Sequence, residues 1–152
     1  MKNKQVKIRS FEDLRVWQSA ISLAKSIYLI TRENESLSRD FSLVDQLRRA
    51  SVSVSANIAE GFERRSKKEY LRFLSIAKGS VGEVRSLLTV AYEVKYINSS
   101  TYQESRELTL KISRMLGKQM RVLEGYITAQ KKPHQRKNFS KFSKKTELES
   151  VS

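Results

Sequence analysis

Apolar residues recur at helical spacing in four segments of this chain. In the first, about Phe11 to Thr31, Leu14, Trp17, Ile21, Ala24 and Tyr28 form one stripe; Val16, Ala20, Leu23, Ile27 and Ile30 form a second, roughly opposite. A helix lying on a core needs only one such stripe. In the second segment, about Phe41 to Gly61, Leu43, Leu47, Ala50, Val54 and Ile58 repeat with helical period. The stretch Ser51-Val52-Ser53-Val54-Ser55 also alternates with period two, which is a strand signal. Helix is preferred because the helical repeat runs past the alternation on both sides. In the third, about Ser66 to Tyr96, Tyr70, Phe73, Ala77, Val81, Val84, Leu88 and Ala91 face one way. Ser75, Gly79, Gly82, Ser86 and Val90 face the other. The fourth follows Asn98-Ser99-Ser100 and ends near Gln130, before Pro133. Its main stripe is Leu108, Ile112, Met115, Gln119, Val122 and Tyr126, with Leu116 and Leu123 beside it.

Local signals punctuate these segments. Ser10 with Asp13, Ser66 with Glu69, and Ser100 with Gln103 have capping-box spacing, in which side chains take the free N–H groups of a first turn. Gly61 stands where a left-handed C-terminal cap belongs. The link before the second segment, ENESLSRDF, holds no proline. Glycine inside a helix costs about 1 kcal/mol relative to alanine, so Gly79 and Gly82 on one face imply the close approach of another backbone. Five Gly and one Pro are too few turn residues for an all-β domain. Short connections then predict an all-α chain, an antiparallel up-and-down four-helix bundle over residues 10–130. A basic arm (residues 1–9) precedes it and a basic tail (residues 131–152) follows.

The apolar surface exceeds what such a bundle buries. Helix one has two stripes, and helix two carries Phe41, Val52, Ala56 and Ala59 away from its main one. Soluble monomers avoid large exposed apolar patches, so a homo-oligomer is expected. Val52, Ala56, Ala59, Gly79, Gly82 and Ser86 are its candidate interface. A wider monomeric core is the alternative.

Charge narrows the function. The 152 residues hold 30 Lys and Arg against 16 Asp and Glu, a formal net charge of +14. Lys2, Lys4, Lys7 and Arg9 meet no acid in the arm, and the tail is single-signed up to Lys145. Such a surface favours polyanions. Arg48, Arg49, Arg64, Arg65, Lys67, Lys68 and Arg72 are expected to cluster around one end and flank of helices two and three. Arg48 or Arg49 could instead be paired to Asp45 or Glu60. The tail adds Lys131, Lys132, Arg136, Lys137, Lys141, Lys144 and Lys145, with Phe139 and Phe142 placed to stack on unpaired bases. With few apolar residues and many charges, it is expected to be disordered when free.

Other classes find little support. There is no cysteine, and the single histidine, His134, lies in the tail, so a Cys/His zinc site is excluded. No Gly-rich phosphate loop or GxSxG elbow occurs. Glu12, Asp13, Asp40, Asp45 and Glu60 are scattered; a metal-binding carboxylate pair for phosphodiester cleavage is the remaining catalytic option. The expectation is a protein that is not an enzyme and has no cofactor or metal. No apolar run approaches the roughly 18 residues of a membrane span, and the N-terminus lacks the apolar stretch of a signal. The tail has no apolar face to insert into a membrane. A cytoplasmic protein with no membrane partner is expected.

FEDLRVWQSAISLAKSIY (Phe11–Tyr28), QLRRASVSVSANIAEGFERRSKKEYLRFLSIAKGSVGEV (Gln46–Val84) and AYEVKYI (Ala91–Ile97) resemble the 23S ribosomal RNA intervening-sequence proteins, also called four-helix-bundle proteins. The resemblance covers roughly residues 10–130 and is carried by the run QLRRA…NIAEG…RxSxxEyxRFLxIAkGS. It implies a bacterial bundle that associates into a ring, a pentamer. Some family members are encoded inside insertions of 23S rRNA genes. Distant relatives resemble accessory proteins of retroelements that bind nucleic acid and partner a reverse transcriptase. The family has no established catalytic residues. Arg48, Arg49, Asn57, Glu60, Gly61, Arg64, Ser66, Glu69, Arg72 and Phe73 match its motif. The tail and the proline-free link depart from the pattern. The function expected is nucleic-acid binding, RNA or DNA, by an oligomer. The alternative is a protein-binding scaffold or accessory subunit of a nucleic-acid enzyme.

Overall fold

The computed structural model describes residues 7–131. Among them the regular structure is entirely helical. A single 3-10 turn (Phe11–Asp13) leads into α1 (Arg15–Glu33); α2 (Glu35–Arg39) is one short piece; α3 (Phe41–Glu63), α4 (Lys67–Glu93) and α5 (Ser99–Lys131) are long. Four long helices thus coincide with the four periodic segments. Ser51–Ser55 lies within α3. Its serines suit a helix because they bond locally: Ser51 Oγ donates to the Arg48 carbonyl at 2.9 Å and Ser55 Oγ to that of Val52 at 3.1 Å.

The second stripe of α1 faces the core: Val16, Ala20, Leu23 and Ile27 are buried. Every member of the α3 stripe is buried, as are Ala77, Val81, Val84, Leu88 and Ala91 of α4. The α5 expectation needs correcting. Its buried line runs through Ser105, Thr109, Ile112, Leu116 and Leu123, whereas Val122 and Tyr126 are exposed. Thr109 enters the core because its hydroxyl donates to the Arg106 carbonyl at 2.6 Å, which a simple apolar count misses.

Helix α3 packs on α4, α4 on α5, and α1 on both α3 and α5. Directions follow from cross-helix contacts. Ser53 Oγ lies 3.0 Å from Ser80 Oγ, and Gly61 sits against Phe73, so α3 and α4 run antiparallel. Tyr70 meets Gln119, Lys78 meets Ser113 and Thr89 meets Tyr102, so α4 and α5 do too.

Helix ends depart from expectation in three places. The Ser10–Asp13 box forms, with Asp13 accepting the Ser10 N–H at 3.3 Å, but it caps only the 3-10 turn; Leu14 is extended and α1 begins after it. Gly61 is no cap: α3 continues to Glu63, and it is Arg65 that turns left-handed, at φ 55°. Helix α5 starts at Ser99 with Asn98 as its cap, whose Oδ1 accepts the Thr101 N–H at 2.8 Å, so the Ser100–Gln103 box is not used. Asp40 caps α3, accepting the Leu43 N–H at 3.0 Å, which explains how that helix starts without a proline.

Candidate nucleic-acid interface

The corner between α3 and α4 is built by close packing. A Cβ added at Gly61 would lie 2.6 Å from Phe73 Cβ and 3.0 Å from the Tyr70 ring. Glycine therefore lets the first turns of α4 approach the end of α3. Arg64 then folds over the Phe73 ring at 5.4 Å, with its guanidinium 2.6 Å from Glu60 and 3.9 Å from Glu69. Both carboxylates raise its pKa further, that of Glu60 first by hydrogen bonding. Ser66 Oγ accepts the Glu69 N–H at 3.4 Å and starts α4. Tyr70 is half-buried beside the corner, and its desolvation pushes its hydroxyl up to about 12 despite the bond donated by Gln119 at 2.6 Å. Asn57 donates to the Ser53 carbonyl at 2.8 Å. So Asn57, Glu60, Gly61, Arg64, Ser66, Glu69 and Phe73 of the sequence motif serve to shape this corner.

The corner also gathers charge. Arg65, Lys67 and Lys68 project from it and are exposed, and Arg72 lies one turn further on, 5.9 Å over the Phe73 ring. Arg65, Ser66, Lys67 and Lys68 line a cavity of about 440 Å³ with Ile127 and Gln130 from the last turns of α5. Lys67 Nζ lies 5.6 Å from the centre of the Tyr126 ring. At the same end, Leu14 with Arg15 and Val16 of α1 lines a groove with Met115, Lys118, Gln119 and Val122 of α5. The start of α1, the α3–α4 corner and the end of α5 therefore share one end of the molecule. That end is where the described chain begins and stops. Tyr126, Ile127 and Gln130 were not among the expected binding residues. The antiparallel order of helices was the available signal, because it places the end of α5 beside the start of α4.

Arg48 and Arg49 do not join this group. They lie four turns back along α3, roughly 24 Å at 1.5 Å per residue. The expected single cluster thus divides in two. Arg48 Nε donates to the buried Thr31 hydroxyl at 2.9 Å, and the guanidinium sits 4.7 Å over the Tyr28 ring. Arg49 pairs with Asp45 at 2.8 Å, the hydrogen bond and charge of which raise its pKa. Lys132, Arg136, Lys137, Lys141, Lys144 and Lys145, with Phe139 and Phe142, lie outside the described residues. So does the side chain of Lys131.

The candidate interface residues are on the surface. Val52, Ala56, Gly79 and Ser86 are exposed, and Ala59 and Gly82 half-buried. A Cβ at Gly79 or Gly82 would meet nothing within 4 Å, so no other part of the described chain explains those glycines. Four of the five carboxylates singled out in the sequence have a local task, and the Glu12 carboxylate has no partner among the described residues. Asp13 and Asp40 cap turns, Asp45 pairs with Arg49 and Glu60 with Arg64. Asp40 also accepts from the Tyr96 hydroxyl at 3.3 Å, and its charge holds that proton on more tightly. Among the described residues no group of three His, Cys, Asp or Glu lies together. No described helix is long and apolar enough to cross a membrane.

A sequence model for the 23S rRNA-intervening sequence protein family matches residues 12–118. A crystal structure of a protein of unknown function from the S23 ribosomal protein family of Bacteroides thetaiotaomicron has a similar fold. It aligns with a TM-score of 0.63 at 22% identity, over 66% of this chain and 94% of that one. No curated protein matches the chain.

Proposed function

The chain belongs to the 23S rRNA-intervening sequence protein family, and from that footing we propose that it is a non-enzymatic four-helix bundle that assembles into a ring, a pentamer, and binds RNA or DNA through phosphate contacts. The observation that carries this reading is the gathering of Arg15, Arg65, Lys67, Lys68, Arg72 and Lys118 at the end where both basic chain termini depart. The uneven charge focuses a positive field there, and a polyanion gains from several such ends held together. Assembly is supported by apolar side chains left in water on one chain: Ile21, Tyr28, Val52, Ile76 and Val90 are all exposed.

Binding of a labelled strand, measured against salt, tests the polyanion reading. Log affinity should fall steeply with log salt, and deletion of residues 132–152 should flatten the slope. Absence of binding at low salt rejects it. Magnesium-dependent cleavage of the strand would replace it with a nuclease. Light scattering tests the assembly, and a mass near 17.6 kDa rejects it.

The same exposed apolar side chains support a second reading, a scaffold for a protein partner such as a nucleic-acid enzyme. That reading predicts binding to the partner with little dependence on salt.

A further inference from the structure

We propose that the seam between the first turn of α4 and the last turns of α5 is a site for an unpaired nucleotide strand, with Tyr126 stacking on a base and Arg65, Lys67 and Lys68 holding the flanking phosphates. This inference rests on the polyanion reading above and specifies its ligand.

Three observations combine in it. Tyr126 belongs to an apolar repeat, yet it is 56% exposed. A large ring in water is unremarkable alone, but this one sits at the end that gathers Arg65, Lys67 and Lys68, beside Lys67. Next, none of Arg65, Lys67 and Lys68 forms an ion pair with another described residue, whereas Arg49 and Arg64 do. Their charge is available to a ligand. Last, the cavity of about 440 Å³ between the two helices has these bases on one wall and Ile127 and Gln130 on the other. That pairs cationic groups with the Ile127 side chain, and the Gln130 amide offers both donors and an acceptor to a base edge.

A double helix does not suit this arrangement. Its bases are stacked on one another and offer no free face to Tyr126, and backbone contact alone needs no ring. An unpaired strand presents both base faces and phosphates. Stacking on aromatic side chains between basic groups is how such strands are held without sequence preference.

Fluorescence anisotropy of the full chain tests the site. The probes are labelled oligouridylate and oligodeoxythymidylate of about 16 nucleotides, and an RNA duplex of the same length. Tyr126→Ala should weaken single-strand binding about tenfold, leave the salt slope unchanged and leave duplex binding within about twofold. Tyr126→Trp should retain the affinity, and circular dichroism should show both variants folded, since the side chain is mostly in water. Either single strand satisfies the proposal, and the tighter arm names it. Unchanged single-strand affinity in Tyr126→Ala, or an equal loss on the duplex, overturns the site while leaving phosphate binding standing. If the unaltered protein binds none of the three probes, both readings fall.

Discussion

Gly61 and Gly79 both lie inside helices, yet their surroundings differ. Gly61 is buried with Phe73 Cβ in the space an alanine would need. Gly61→Ala should therefore destabilise the protein by about 1–3 kcal/mol in urea unfolding, although alanine is the better helix former. Gly79 and Gly82 meet nothing within the described chain. For a free monomer, alanine there should raise stability by about 0.5–1 kcal/mol. If another subunit's backbone packs on that face, as the assembly reading requires, the same changes should instead lower the mass seen by light scattering. Tyr70 supplies a pH test. Its hydroxyl ordinarily releases its proton near 10, but burial holds the proton to about 12 in the folded state. Between those values the unfolded chain binds fewer protons, so stability falls as pH rises through the window. Below it the contribution is whole. Tyr70→Phe should lose about 1 kcal/mol at neutral pH with the Gln119 bond, and should remove this part of the alkaline decline. Urea unfolding at neutral and alkaline pH reads both effects.

At the scale of elements, long repeats were legible and endings only in part: Ser66 caps α4 and α3 starts at Phe41 as expected, but other ends differ. The α3 stripe Leu43, Leu47, Ala50, Val54 and Ile58 is buried in full, because five apolar residues at one period leave a single face to hide. In α5 the apolar count pointed about one helical step away from the core, since buried Ser105 and Thr109 look polar in sequence. Ends were misread where a side chain replaced the expected glycine. Arg65 and Lys95 take left-handed φ angles of 55° and 65°, a conformation that glycine favours, while Gly61 serves close packing instead. The candidate site was half legible for the same reason. Arg64, Arg65, Lys67, Lys68 and Arg72 are close in sequence and stay close at the corner. The anchoring of the Arg48 side chain depends on its bond to Thr31, seventeen residues away, and the partnership of Lys67 with Tyr126 on helix order. No short-range pattern encodes either.

For the whole molecule, basic side chains gather at one end, and several of the exposed apolar side chains lie along the sides. Arg65, Lys67 and Lys68, which form no ion pair among the described residues, stand at one end, beside the end of α5. Exposed Ile21, Val52, Ile76 and Val90 lie along the sides of α1, α3 and α4. Subunits joined through their sides would keep the basic ends open to a shared polyanion. Arg49, held by Asp45 on the flank, should take no part. The most direct test compares the salt dependence of binding to oligouridylate for the unaltered chain, an Arg65→Ala, Lys67→Ala, Lys68→Ala variant, and Arg49→Ala. Each lost phosphate contact to a single strand should reduce the slope of log affinity against log salt by about 0.7, so the triple variant should lose about 2 and Arg49→Ala nearly nothing. An unchanged slope in the triple variant, or an equal loss in Arg49→Ala, would contradict the account.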